Sequence, residues 1–166
     1  MRHNTILVVD DEANTRSALR RLLYDEYQVH QAADAGEGFI CLKKFPIDAI
    51  IADHQMPRMT GVDFLKTVRE KYPDIIRIVL TGKADLGVTM EAINKGQVHG
   101  FFIKPWRNEE LTMFLRNVLK QHDLVLENRR LAETIKTQSD RLRMLEKRYP
   151  GITTVHKDST GAIILE

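Results

Sequence analysis

Five polar residues stand at the ends of short apolar runs, and together they define the chemistry this chain offers. Asp10 and Asp11 follow Ile6-Leu7-Val8-Val9. Asp53 ends Ala49-Ile50-Ile51-Ala52, Thr81 ends Ile75 to Leu80, and Lys104 follows Phe101-Phe102-Ile103. Three carboxylates placed together repel one another unless a cation lies among them. Mg2+ suits such a set, because it takes hard oxygen ligands in near-octahedral geometry and keeps waters or phosphate oxygens as co-ligands. A carboxylate can also attack phosphorus and form an aspartyl phosphate. Phosphoryl transfer asks mainly for positioning and charge neutralisation. Lys104 offers a fixed cation, Thr81 a hydroxyl donor, and Gly82 keeps the approach open. Taken singly, each acid reads equally well as a helix cap, a common use of Asp after a strand. Five groups at four strand ends read instead as one site, centred on Asp53 as phosphoryl acceptor.

The elements that must position these groups alternate. Thr5–Val9, residues 27–31, Ala49–Ala52, Ile75–Leu80 and Phe101–Ile103 have the apolar, β-branched character of strands. Between them lie helical patterns: Ala18, Leu19, Leu22 and Leu23; Phe39, Ile40 and Leu42; Phe64, Leu65 and Val68; Val88, Met90, Ala92 and Ile93. Asp34 with Glu37 has the form of a capping box. All five prolines fall between elements. Short apolar strands interleaved with amphipathic helices imply an α/β fold with a parallel sheet covered on both faces. For five strands with right-handed crossovers, the doubly wound, flavodoxin-like order 2-1-3-4-5 is the simplest. Its ligand site lies at the carboxyl ends of strands 1 and 3, where the acids stand. Gly61 is expected to permit a tight turn after Met56-Pro57.

Bulk properties narrow the setting. The chain has 166 residues, 43% hydrophobic and 29% charged, with a net charge of +2. That length predicts one domain plus an extension. The charge is too balanced to imply nucleic acid by itself, and residues 120–148 carry only eight Lys/Arg against five Asp/Glu. A single cysteine, Cys41, excludes an internal disulfide. No apolar stretch is long enough to span a membrane or to form a signal-peptide core. A reducing, cytoplasmic setting is the expectation.

The motifs VVDDE at 8–12, DHQMPRMTG at 53–61, LTG at 80–82 and FFIKP at 101–105 resemble those of the response-regulator receiver domain of bacterial two-component signalling, over residues 5 to about 120. The resemblance implies that Asp53 takes a phosphoryl group from a phosphohistidine on a histidine kinase or phosphotransfer protein. It implies that Asp11, Asp53 and the main-chain carbonyl of Gln55 bind Mg2+ directly, with Asp10 acting through water. Lys104 and Thr81 would grip the phosphoryl oxygens, and Lys104-Pro105 would be a cis peptide. Activation in the family moves the Thr81 hydroxyl toward the phosphoryl group and swings the aromatic at position 101 inward. Here that residue is Phe101, which can report by packing but cannot donate a hydrogen bond. Gln55 and Lys83 stand where the family tunes phosphate lifetime. His54 is not expected to be a metal ligand, and Trp106 is expected to pack at the start of helix 5.

A receiver would stop near residue 120, yet the helical pattern here continues. Asn108 is expected to cap a helix with Glu109-Glu110 in its first turn. No proline or glycine interrupts it before Pro150-Gly151, about 40 residues and ~60 Å if straight. Leu111, Leu115 and Val118 suit the sheet. From Leu124 a 4-3 repeat takes over, with Leu124, Leu131, Gln138 and Leu145 at d and Asn128, Ile135 and Leu142 at a. Ile at a with Leu at d favours two parallel strands, and a buried Asn at a sets register. A parallel coiled-coil homodimer is therefore expected, with Arg141 and Glu146 available to pair between chains. Residues 152–155 and 162–165 flank Asp158-Ser159-Thr160-Gly161 and read as a β-hairpin. The expected division is a receiver at 1–122, a coiled-coil helix at 123–149 and a hairpin tail, or the start of a truncated domain, at 150–166.

The sequence thus reads as a two-component response regulator. One alternative makes it the receiver of a larger regulator or sensor with its output domain missing. A rival from another class is a Mg2+-dependent phosphohydrolase, which also uses an aspartyl nucleophile. Against it, Gln55 stands two residues after Asp53, where a second catalytic acid would be needed.

Overall fold

The structure, a computed structural model, describes residues 4–95 and 97–152. Its elements follow the expected alternation: β1 (Thr5–Val9), α1 (Ala13–Leu23), β2 (Gln28–Ala32), α2 (Ala35–Lys44), β3 (Ala49–Asp53), α3 (Gly61–Lys71), β4 (Ile76–Thr81), a 3-10 turn (Lys83–Asp85), α4 (Leu86–Asn94), β5 (Gly100–Ile103) and α5 (Asn108–Arg148). The strands form one parallel sheet in the order β2-β1-β3-β4-β5. This is the doubly wound order the alternation predicts.

Because successive strand side chains point to opposite faces, the apolar runs feed two cores. Leu7, Val9, Ile50, Ala52 and Val79 face one way and pack with Leu42, Phe64, Leu65 and Val68 of α2 and α3. Ile6, Val8, Ile51, Ile78 and Leu80 face the other way and pack with Leu19, Leu23, Leu111 and Leu115 of α1 and α5. Each such buried side chain contributes about 1.5–3 kcal/mol, so the three central strands are fixed from both sides.

Local signals set the helix starts. Asp34 Oδ1 accepts the Glu37 N–H at 2.9 Å, and Glu37 Oε2 accepts the Ala33 N–H at 2.7 Å. The box therefore closes on the residue before the cap. Thr60 Oγ1 accepts the Asp63 N–H at 3.2 Å and opens α3. Asn108 is not the cap of α5: it is already helical, and the Arg107 carbonyl accepts the Leu111 N–H at 3.1 Å. The buried stripe of α5 also differs in one position. Leu111, Leu115 and Leu119 are buried, while Val118 is only partly so.

The chain divides after His122 into two units. In the second, the a/d positions Leu124, Asn128, Leu131, Ile135, Gln138, Leu142 and Leu145 are all exposed in the single chain, Ile135 to 66%. Glu146 is engaged within its own chain, its Oε1 accepting the Gly151 N–H at 2.8 Å. The expected hairpin lies outside the described residues. No helix among the described residues is long and apolar enough to cross a membrane.

One buried charge organises the far edge of the sheet. Arg77 is 4% exposed. Its Nε donates to Gln97 O at 2.8 Å, and its Nη1 donates to Ile75 O at 2.6 Å and Pro73 O at 3.1 Å. The side chain thus ties the chain entering β4 to the chain entering β5. Replacing it removes donors from three carbonyls, each costing about 1–3 kcal/mol if left buried and unpaired. Arg77→Met is expected to lower unfolding stability by roughly 2–4 kcal/mol, allowing for partial access of water to those carbonyls. Urea titration of the two chains checks this, and equal midpoints would show that the carbonyls find other donors.

Candidate phosphoryl-acceptor site

The carboxyl ends of four adjacent strands bring the predicted groups together. Asp10 and Asp11 directly follow β1, Asp53 is the last residue of β3, Thr81 the last of β4, and Lys104 directly follows β5. Carboxylate oxygens of Asp10, Asp11 and Asp53 all lie within 4.8 Å of one another. Lys104 Nζ bridges two of them, 3.0 Å from Asp53 Oδ1 and 3.2 Å from Asp10 Oδ2. Asp10 is fully buried, Asp53 is 5% exposed, and Asp11 faces solvent.

Burial dominates the electrostatics. It raises the Asp10 carboxyl above its ordinary range; the Glu12 N–H opposes this, the Asp53 charge adds to it, and Lys104 opposes it. Asp53 is raised for the same first reason, with Lys104 opposing and Asp11 adding. For Lys104, burial acts to lower the ammonium, but its bonds to Asp53 and Asp10 outweigh that and leave it raised. Two carboxylates therefore hold charge against a desolvation cost that one lysine only partly offsets. The set is all hard oxygen with one member open to solvent, which fits a small divalent cation.

Local structure explains the placement. Asp10 does not cap α1. Its Oδ1 accepts the Glu12 N–H at 2.8 Å, and Glu12 itself precedes the helix with no side-chain cap. Arg16, a residue the sequence reading passed over, reaches back from the first turn of α1. Its Nη1 donates to Asp10 O at 2.6 Å and Asp11 O at 3.1 Å, fixing the acidic loop. Its spacing, one turn into the helix after the acid pair, was the available signal.

The loop after Asp53 is held closely. The Gly61 N–H donates to His54 O at 2.9 Å. A Cβ on Gly61 would lie 2.1 Å from the Asp53 carbonyl oxygen. Glycine is needed here for close approach: the tight turn expected at this position brings its Cα against the Asp53 carbonyl, with no positive φ. The residue with positive φ in this loop is Arg58, at 67°. Its guanidinium pairs with the carboxylate of Asp34, the cap of α2. A positive φ is uncommon for a residue other than glycine.

The remaining predicted residues are placed as follows. Thr81 is fully buried and its Oγ1 donates to Gly82 O at 3.1 Å. Phe101 packs partly buried against the core on the α2–α3 face. Trp106 packs against the other core, beside the start of α5. The Gln55 side chain is exposed and bonds to Asp85. His54 is buried with Nδ1 unpartnered and is not among the clustered acids. The Lys104–Pro105 peptide is cis.

Residues 6–116 match the family described as the response regulator receiver domain, and the chain belongs to that family. Among its relatives is the hydrogenase transcriptional regulatory protein HoxA of Cupriavidus necator, 36% identical over 139 residues, with 84% of this chain and 29% of that protein covered. The HoxA protein of Bradyrhizobium diazoefficiens is 30% identical over the same span and coverage. The chain therefore spans about 29% of the length of these regulators. Among solved structures, the signal receiver domain of an HD domain-containing protein from Pseudomonas fluorescens Pf-5 has a TM-score of 0.70 at 33% identity, covering 74% of this chain and 98% of that one. A structure described as adenylate cyclase from Rhodopirellula baltica has a TM-score of 0.75 at 32% identity, covering 80% of this chain and 98% of that one.

The raised carboxyls give a signed expectation. A carboxyl whose folded pKa exceeds its unfolded value favours the fold at low pH and loses that contribution as pH rises through the folded value. At pH 7 without metal, ionised Asp53 therefore costs stability. Asp53→Asn keeps an acceptor for Lys104 and removes the charge. It is expected to melt several degrees higher than the parent at pH 7 in chelator, with the gain shrinking as pH falls toward 4. Scanning calorimetry at both pH values checks this; a lower melting temperature at pH 7 would refute it.

Proposed function

We propose that the chain is a phosphorylatable two-component response regulator, with Asp53 as phosphoryl acceptor. The observation that supports this best is the Lys104 ammonium shared by Asp53 Oδ1 and Asp10 Oδ2 inside a three-carboxylate cluster. Asp11, Asp53 and the main-chain carbonyl of Gln55 would hold Mg2+, with Asp10 acting through a water. The ion would supply neutralisation of phosphate charge between the acids.

The chain's own residues do the rest. An Asp53 carboxylate oxygen attacks phosphorus of a phosphohistidine on a histidine kinase or phosphotransfer protein. The P–N bond breaks, and its electron pair remains on the imidazole. Lys104, already on Asp53 Oδ1, takes a phosphoryl oxygen. Thr81 rotates from Gly82 O to donate to another, and Phe101 repacks into the space released. A phosphoryl group brings about −1.5 to −2 charge, enough to bias such a two-state element. The chemistry is confined to this one side chain, so the chain is a signalling domain in a cytoplasmic setting. Gln55 at the position a hydrolase needs for a second acid favours this reading over a phosphohydrolase.

Residues 1–122 form the receiver in this reading, 123–149 a coiled-coil helix, and 150–166 a tail or the start of a further domain. The exposed apolar a/d row on α5 supports a parallel homodimer, since a lone helix gains nothing by presenting Leu124, Leu131, Ile135, Leu142 and Leu145 to water. Signal from Asp53 would leave through α5 or the face beside it. The relatives named as transcriptional regulators are far longer than this chain, which covers 29% of each.

Incubation with Mg2+ and a phosphohistidine donor should add one phosphoryl group by intact mass. Asp53→Ala and chelation of Mg2+ should each abolish it, and unchanged labelling of the variant would remove Asp53 from the site. Light scattering should show a dimer that truncation after residue 122 weakens at least tenfold in affinity. A dimer equally strong without residues 123–166 would exclude the coiled coil as its main source.

A further inference from the structure

Arg16 stands where helix electrostatics disfavours a cation. It lies in the first turn of α1, where the helix dipole favours acids and opposes bases, and no acid in that turn offsets it. Glu12, at the spacing of a helical ion pair, takes the Thr15 hydroxyl at 3.1 Å instead. Arg16 makes no ion pair among the described residues. Its half-buried guanidinium goes to main-chain oxygens, Asp10 O at 2.6 Å and Asp11 O at 3.1 Å. A residue that breaks a local rule in this way points to a task beyond the helix.

The two neighbouring acids are held by different means. The Asp10 carboxylate is tied at both oxygens, Oδ1 to the Glu12 N–H and Oδ2 to Lys104 Nζ. The Asp11 carboxylate is exposed and takes no hydrogen bond or ion pair among the described residues. What Arg16 fixes is its main chain.

We infer that Arg16 is a positioning residue that holds Asp11 in place for the cation, and that it thereby favours Mg2+ over Ca2+ at this site. The inference rests on the reading of Asp10, Asp11 and Asp53 as a Mg2+ site. Mg2+ demands near-ideal octahedral geometry, while Ca2+ accepts more oxygens in looser arrangements. A firmly placed Asp11 therefore serves Mg2+ more than Ca2+. Groups that orient a metal ligand are worth about 10- to 100-fold in affinity. Charge alone acts in the opposite sense, since a guanidinium beside a cation site weakens binding. The sign of the change on removing Arg16 separates positioning from charge.

The test is calorimetric titration of the full 166-residue chain with Mg2+ and, separately, with Ca2+, in the absence of any phosphodonor. Arg16→Met should weaken Mg2+ binding about tenfold and Ca2+ binding no more than about threefold, so that the ratio of the two affinities falls. Arg16→Gln, with a shorter uncharged chain, should shift the ratio in the same direction and serves where the methionine variant does not fold. Arg77→Met, which loosens the fold at the opposite end of β4, should leave both affinities at the parent value. Unchanged or tighter Mg2+ binding without Arg16, or equal losses for both ions, would overturn the positioning role while leaving the acids as the site. A matching loss in Arg77→Met would overturn it too, by assigning the effect to general loosening. A parent chain that binds no Mg2+, or binds it unchanged after Asp53→Ala, would overturn the site and this inference with it.

Discussion

Two ionisable carboxyls, Asp10 and Asp53, are buried at the edge of a sheet within reach of a single ammonium group. Most of the architecture can be understood as what this arrangement requires. Burial makes both acids costly to ionise, so their geometry must be held by groups that do not give way. Lys104 arrives from the far side of β4, which demands that β5 sit in register. Arg16 grips the carbonyls behind Asp10 and Asp11. Gly61 presses its loop onto the carbonyl of Asp53. The two cores on either face of the sheet hold the strands that carry these residues, and the site inherits their rigidity.

The sequence made the strands and their order readable, because five apolar runs of strand length are hard to accommodate otherwise than in a covered parallel sheet. It also made the site readable, since a parallel sheet brings all its carboxyl ends to one edge, and the polar residues there could be read off directly. What it did not show were interactions between side chains and distant backbone. Arg77 is a charged interruption of an apolar strand; of its three carbonyl partners, Ile75 and Pro73 are near in sequence and only Gln97 is brought close by the fold. Gly61 is legible in the sequence as a turn glycine, while its close approach to the Asp53 carbonyl is not, because contact with a backbone atom leaves no mark in the residue type. Arg58, whose type argues against positive φ, takes it nonetheless, and its guanidinium pairs with Asp34.

The long helix shows the same division between what periodicity carries and what it does not. The change of apolar face between Val118 and Leu124 is visible in spacing alone; in the structure Leu111, Leu115 and Leu119 are buried, Val118 only partly, and the a/d residues from Leu124 on are exposed in the single chain. The start of the helix was misjudged by one residue, because a capping residue type at Asn108 outweighed a helix opened by the bare carbonyl of Arg107.

The fit of Gly61 against Asp53 bears on how the molecule can diverge. A methyl group there would overlap a backbone oxygen at the acceptor itself, so this position is closed to every other residue. Gln55 and Arg58, by contrast, reach outward from the same loop to Asp85 and Asp34 through bonds that other side chains could replace. Inherited change can thus alter how the loop is moored to its surroundings without disturbing the Asp53 carboxylate proposed to take the phosphoryl group. The mooring of this loop can vary in descendants of this chain while the groups packed around Asp53 stay the same.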